Sequence, residues 1–297
     1  MTAAHQVRER ALQWGFLLVA LASLAVLCAI MAFLFAEGMP IFKVVRVQDF
    51  VFGKYWYPTS DPADFGILPL IVASMAVTAV SSAIAIPLGV MTAIYLAEIA
   101  SARMREWVKP VVELLAAIPS VVIGFFGMVV VAPALQKALG IATGLNLFNA
   151  ALMLAFMSVP TICSLSEDAI FNVPVDLKEA SLALGATRWE TTWRVTIPAA
   201  LSGISTSVIL GMSRAMGETM VVLMVAGGAA MIPESLFDPV RPMPASIAAE
   251  MAEAPFGGAH YHALFATGVV LFLFTLAFNI VADWVSHRYR QVGAATL

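Results

Sequence analysis

The sequence predicts an all-α membrane protein with six transmembrane helices. Three observations carry this. Apolar residues fill 61% of the 297 positions and charged residues only 12%, about half the charge that a soluble domain uses to cover its surface. Six runs are apolar over the ~20 residues that a helix needs to cross a bilayer. Basic residues are shared unequally between alternate loops, as they are around membrane spans.

The first run goes from Trp14 to Ala36, behind Arg8 and Arg10. Its apolar core exceeds the ~7–15 residues of a signal peptide, and no clean small-residue cleavage pattern follows, so it reads as a retained span. The second, Ile67 to Ala97, is interrupted by Pro69 and Pro87. It is too short for two spans and a loop, so it reads as one long, tilted or kinked helix. The third, Pro110 to Leu135, carries Pro119, Gly124 and Gly127; the fourth runs from about Leu147 to Leu165. The fifth starts after Pro198 and ends near Met231, and the sixth runs from His262 to Val285.

Six spans put both termini on one side. That side would carry Arg8, Arg10, Arg103, Arg105, Lys109, Lys178, Arg188, Arg194, Arg288 and Arg290. The other would carry Lys43, Arg46, Lys54, Lys137 and Arg241. The excess places both termini in the cytoplasm. Residues 1–66 then form an N-terminal span with an extracytoplasmic loop, and 67–297 form a helical core with a cytoplasmic loop at 173–198. The outer loop holds Phe50, Phe52, Tyr55, Trp56 and Tyr57. Such a cluster reads as an aromatic belt at headgroup depth, with docking of an extracytoplasmic partner as the alternative. A second outer loop, Pro233 to Tyr261, contains the short helical pattern ASIAAEMAEA.

Several chemistries find no motif. The chain has no G-x-x-x-x-G-K-[ST] loop for ATP phosphates, no CxxC, no HExxH and no GxSxG,. His5, His260, His262 and His287 sit at span ends or near the N-terminus. They read as solvated or interfacial groups, with a metal at His260 and His262 as the alternative. Cys28 and Cys163 lie in apolar runs and read as small packing residues without a disulfide. Nothing here argues for catalysis.

The loop PVDLKEASLALGATRWETTWRVTIP, Pro174 to Pro198, punctuates itself as two short helices. Asp176 with Glu179 reads as an N-cap with an acidic third position, and Gly185 as the left-handed residue that ends the first helix. Thr187 with Glu190 is a capping box for the second. Trp189 and Trp193 then share a face. A rigid helix pair suits a groove on another protein, or lies in the headgroups on its tryptophans. Glu179, Ala180, Gly185, Ile197 and Pro198 resemble the EAA–G–I-x-P signature of permease subunits of bacterial ATP-binding-cassette (ABC) importers. Ser181 stands where that signature usually has a second alanine. The resemblance implies a type I ABC importer permease fold, in which this loop is the coupling helix seated on an ATPase. It also implies that ATP and Mg are bound by that partner, with no cofactor in this chain.

Inside the fifth run, ILGMSRAMGETMVV, Arg214 lies about 16 residues past Pro198, or ~24 Å along a helix. A buried Arg costs ~2.5–3.5 kcal/mol on insertion scales. Glu218 follows four residues on and would share its face on a continuous helix. Gly203, Ser207 and Gly211 make a small-residue stripe toward the cytoplasmic end, where another helix or an anion can approach the backbone. The pair reads either as a self-compensating packing device or as part of a pathway for an anion. Arg presents a planar fork to tetrahedral oxyanions. Glu218 would accept a hydrogen bond from the P–OH of hydrogen phosphate, a proton that sulfate and molybdate lack at neutral pH.

The segment from Arg214 to Thr219, R-A-x-G-E-T, resembles the permeases of phosphate-specific importers. TMVVLMVAGG, and AAIPSVVIGFFG at Ala116 to Gly127, are more similar to PstC-type than to PstA-type subunits. The resemblance runs from about Gly66 to the C-terminus. It implies inward phosphate transport across the bacterial cytoplasmic membrane. The implied partners are a PstA-like sister permease, a dimer of PstB-like ATPase subunits and a PstS-like extracytoplasmic phosphate-binding protein. It makes Arg214 and Glu218, and these two only, the transport-critical charges; Ser207, Gly211 and Thr219 stand beside them as further pathway candidates. A permease for molybdate, tungstate or sulfate, or a passive anion channel, remains as an alternative.

Overall fold

A computed structural model describes residues 3–288, with side chains placed from 12 to 284. The topology residues Arg8, Arg10, Arg288 and Arg290, and His5 and His287, have side chains outside that range. Helix α1 (Ala3–Gly38) is apolar on all sides from Trp14 to Ala36 and exposed along Leu12–Ile30, as a helix facing lipid should be. It meets the rest of the protein at its far end, where Phe33 packs edge-on to Phe265 and Gly38 abuts the backbone of Ala266. A short α2 (Val47–Phe52) and a two-stranded hairpin, β1 (Trp56–Tyr57) with β2 (Asp64–Phe65), follow. Helix α3 (Leu68–Ile94) continues into a π-helical turn at Tyr95–Ile99.

The amphipathic α4 (Ala102–Ala116) starts on Ser101, whose Oγ accepts the Met104 N–H at 3.3 Å. It leads to α5 (Ser120–Phe126), a π-helical turn at Gly127–Val131, and α6 (Ala132–Leu139). Helix α7 (Leu147–Phe171) starts on the Asn146 side chain, which accepts the Asn149 N–H at 2.9 Å. The short α8 (Val175–Ala183) and α9 (Arg188–Thr191) come next, and a π-helical turn at Thr192–Thr196 joins α9 to α10 (Ile197–Met216). The chain ends in α11 (Met220–Val225), α12 (Met243–Glu250) and α13 (Ala259–Arg288). Among the described residues, six stretches are long and apolar enough to cross a membrane: Leu12–Lys43, Leu68–Ile99, Ser120–Leu139, Leu147–Phe171, Arg188–Met216 and Ala259–Trp284.

Helix α7 is the hub, enclosed by α3, α4 and α10. Small residues set its distance from α10. A Cβ on Gly203 would lie 2.4 Å from Ala169 Cβ, and one on Gly211 2.5 Å from Ile162 Cγ1. Between them the Ser207 and Ser166 hydroxyls hydrogen-bond. The α10 numbers rise as the α7 numbers fall, so the two helices are antiparallel.

The structure departs from the sequence reading at five places. The third run is broken at Ala117–Pro119, between α4 and α5, because Pro119 cannot extend the preceding helix,. The fifth starts earlier, at Arg188, because the π-helical turn carries α9 into α10; Pro198 then falls in the first turn of α10, where its missing N–H is tolerated,. The same run is interrupted at Gly217–Thr219 rather than continuing to Met231. The fourth extends to Phe171 and so includes Glu167 and Asp168. Finally, the aromatic outer loop divides, two of its five named aromatic residues lying in a core and three exposed. Phe50 and Trp56 are 0% and 2% exposed and share a core with Ile41, Phe65, Ile67, Leu70, Met243 and Leu264, leaving Phe52, Tyr55 and Tyr57 outside.

The α7–α10 contact yields a direct test. Gly203→Val should cost about 1–3 kcal/mol by overpacking. Ala169→Gly should restore part of that loss, because it removes the methyl group that the new side chain strikes. Thermal unfolding of the purified membrane protein reads both.

Candidate functional site

The hairpin on the side of α8 and α9 is built by local chemistry. Helix α8 begins after Pro174, so Asp176 lies in its first turn and is not its cap; the proline, with no N–H and a fixed φ, starts the helix instead,. Gly185 ends the hairpin's first half at φ +87°, a conformation that costs a side chain-bearing residue energy. The capping box forms: the Glu190 N–H meets Thr187 Oγ1 at 3.3 Å, and Glu190 Oε2 accepts the Thr187 N–H at 2.9 Å. Trp189 and Trp193 pack edge-on with ring centroids 5.5 Å apart. Ser181 and Thr191 hydroxyls join the two helices at 2.9 Å, and Lys178 Nζ reaches Glu98 Oε1 at 2.7 Å on the turn after α3. Glu179, Ala180 and Gly185 are exposed, and Leu184 is 90% exposed at the apex. Ile197 and Pro198 are instead half-buried at the start of α10. The hairpin is thus a fixed, two-point-tethered projection with an apolar tip.

The second site is the interruption of the fifth span. Arg214 sits in the last turn of α10 and is exposed; Gly217 ends that helix. Glu218 therefore does not stack on Arg214. Its Oε1 accepts the Met220 N–H at 3.2 Å, at the start of α11. Among the described residues the Arg214 side chain forms no ion pair and no hydrogen bond. The intrahelical pair expected from the four-residue spacing is absent because the spacing applies only along a continuous helix. Each charge is instead set at a helix end of opposite partial charge, the cation by the free carbonyls of α10 and the carboxylate by the free N–H groups of α11. Thr219 is half-buried in the break. Ser207 and Gly211 lie elsewhere: both are buried in the α7 contact, and the stripe that the sequence left open to a helix or an anion is taken by a helix.

The break has a neighbour at the same level. A Cβ on Gly124 of α5 would lie 3.3 Å from Val221 Cα, and one on Gly127 2.8 Å from Val225 Cγ1. Helices α5 and α11 therefore run side by side in one direction, and the interruptions before them, Ala117–Pro119 and Gly217–Thr219, face one region. Val121, Val122, Phe125 and Phe126 leave an exposed apolar surface beside it.

Two polar clusters escaped the sequence reading. Glu167 on α7, 1% exposed, is held by Arg105 Nε at 2.7 Å and Lys109 Nζ at 2.6 Å, and Lys109 also reaches Asp168 at 2.6 Å. Burial works against the Lys109 ammonium, but hydrogen bonds and charge from Asp168 and Glu167 outweigh it and raise its pKa above the ordinary lysine value. On the opposite side, Glu250 of α12 accepts the Trp56 indole N–H at 3.0 Å and hydrogen-bonds His260 Nε2 at 2.8 Å, the Ser246 hydroxyl at 3.2 Å and Arg241. His260 is thus tied to a carboxylate rather than solvated, and His262 Nδ1 lies 2.7 Å from the Glu37 carbonyl. Among the described residues no group of three His, Cys, Asp or Glu side chains is arranged to hold a metal. The only sequence signal for Glu167 was a carboxylate at the edge of an apolar run, where a longer fourth helix would bury it.

The model of the family described as "Binding-protein-dependent transport system inner membrane component" matches residues 85–291. The chain belongs to this family. Among relatives of this permease is a probable ABC transporter permease, YqgH of Bacillus subtilis, 39% identical over 91% of this chain and 88% of its own length. The phosphate transport system permease protein PstC of Mesorhizobium japonicum is 36% identical over 80% of this chain and 78% of its own. PstC of Haemophilus influenzae is 34% identical over 82% of each. A solved chain of a bacterial alginate ABC transporter, in complex with an alginate-loaded periplasmic protein, shares the fold across 98% of this permease and 99% of its own length, with TM-score 0.69 at 16% identity. A chain of the inward-facing MetNI methionine ABC transporter aligns over 76% and 96%, with TM-score 0.60 at 20% identity. The fold is that of a type I ABC importer permease, and the chain is a multi-pass membrane protein.

Proposed function

We propose that this permease is the PstC-like half of an ATP-driven importer that carries phosphate inward, with both termini in the cytoplasm. The observation that carries the reading is the free, exposed guanidinium of Arg214 at a helix break inside an apolar span. An unpaired cation at that depth is costly in lipid and belongs on a pathway. Its planar fork suits a tetrahedral oxyanion. Glu218 keeps Oε2 free while Oε1 holds the Met220 N–H, so it has an acceptor for the P–OH of hydrogen phosphate. The PstC proteins of Mesorhizobium and Haemophilus, named for phosphate transport, support the same substrate. The exposed apolar face of α5 beside the break fits a PstA-like sister permease, which would close the pathway from the other side. The projecting hairpin fits a groove on a PstB-like ATPase that binds ATP and Mg. A PstS-like phosphate-binding protein would deliver the anion from outside. Uptake of radiolabelled phosphate into vesicles, with this chain present or deleted, tests the whole reading.

The charge pair gives sharper outcomes. Arg214→Gln should abolish uptake with the complex still assembled. Arg214→Lys should also impair it, because a point charge loses the bidentate fork. Glu218→Gln keeps size and an acceptor oxygen, so it should weaken discrimination between phosphate and sulfate more than it harms folding. Full phosphate uptake by the doubly neutralised protein would refute the pathway role.

The hairpin and the orientation are tested separately. At Gly185 an added Cβ meets nothing within 4 Å, so Gly185→Val strains only the backbone, by about 1 kcal/mol or more. Lost ATPase association or lost transport, with membrane insertion unchanged, is expected. A cysteine at Glu253 should react with an impermeant reagent in right-side-out vesicles and one at Arg188 should not; the reverse pattern inverts the topology.

A further inference from the structure

We propose that Glu167 is a positioning residue that locks α4 to α7, so that the two move as one lever between the hairpin and the broken fifth span. The lever's hinge is Ala117–Pro119. This rests on the coupling role of the hairpin proposed above.

Helix α4 has no fully buried residue, so apolar packing alone does not hold it. Val108 and Val112 are its half-buried contacts with the core, and the charged contacts to α7 come from Arg105 and Lys109. Arg105 and Lys109, four apart on one face, grip both oxygens of Glu167, and the Arg105 guanidinium lies 4.0 Å from the Phe171 ring centre. A carboxylate buried this fully cannot be left unpaired without a large penalty. Separation of α4 from α7 is therefore blocked, and sliding is blocked with it. The clamp also joins the two ends of the relay. Helix α7 runs through Asn172–Pro174 straight into α8, and Lys178 of α8 binds Glu98 just before α4 begins. At its other end α4 stops at Ala117, next to α5, which packs on α11 directly after Glu218. A push on the hairpin reaches both α4 and α7 together, and the first place where the third span can bend is the Ala117–Pro119 break.

The experiment uses the complete importer reconstituted in vesicles and reads phosphate uptake per ATP hydrolysed. Glu167→Gln should leave hydrolysis running while uptake per ATP falls about tenfold, the size of a typical coupling between sites. An unchanged ratio would overturn the proposal. The second arm leaves Glu167 and its Arg105 contact in place: Lys109→Cys with Asp168→Cys, in a background lacking Cys28 and Cys163, bridged by a short thiol-to-thiol linker. If α4 and α7 move as one body, the bridged importer works at least as well as the unbridged one. Arrest of transport by the bridge would show that they must part, and would overturn the proposal even if Glu167→Gln fails to assemble. If the unaltered importer carries another oxyanion and no phosphate, the substrate reading fails, and the ratio is measured with that anion.

Discussion

Inside a bilayer every backbone N–H and C=O must find a partner within the protein. This constraint governs where the helices of this permease are allowed to stop. The third and fifth apolar runs are both interrupted, at Ala117–Pro119 and Gly217–Thr219, and each interruption leaves free carbonyls on one side and free N–H groups on the other. The two are brought to one level by the parallel contact of α5 and α11 through Gly124 and Gly127. Irregular backbone at that depth is tolerated where it is enclosed by protein or lines a polar cavity. The helix breaks, the charges beside the second of them and the exposed apolar face of α5 therefore lie in one region of the permease.

The charges follow the same rule. Arg214 and Glu218 would neutralise each other on an unbroken helix and would then offer little to a ligand. Gly217 separates them. Each is stabilised by a helix end, worth about 0.3–1 kcal/mol for an exposed group and more when partly buried, and each keeps hydrogen-bonding capacity in reserve. On the anion-pathway reading proposed above, such incomplete satisfaction would let an anion bind and leave again.

Two carboxylates away from the break are fully engaged. Glu167 and Glu250 each collect several donors, one near the hairpin and one in the opposite loops. Both join elements distant in sequence: α4 to α7, and the β1 hairpin to α12 and α13. Neither stabilises much relative to an apolar replacement, since desolvation offsets most of the attraction. What they supply is a fixed register between the elements they join. The contrast between these saturated carboxylates and the open Arg214 separates framework from site.

Much was legible in the linear chain. Apolar runs of span length, the capping box at Thr187 and Glu190, the left-handed Gly185 and the Trp189–Trp193 pair depend on composition and neighbours within a few residues, so they survive into the structure. Periodicity failed where a single residue ended a helix: it carried Arg214 onto Glu218 across Gly217 and drew the third span through Pro119. It also had no access to partners far away in sequence. Whether Ser207 and Gly211 face an anion or α7, whether Trp56 lies in headgroups or bonds Glu250, and whether Glu167 is solvated or clamped all depend on which helices are adjacent. The sequence by itself determined a six-span helical membrane protein with a rigid, capped projection. Only the tertiary structure decided which polar groups are paired, because the residues that pair them come from other helices.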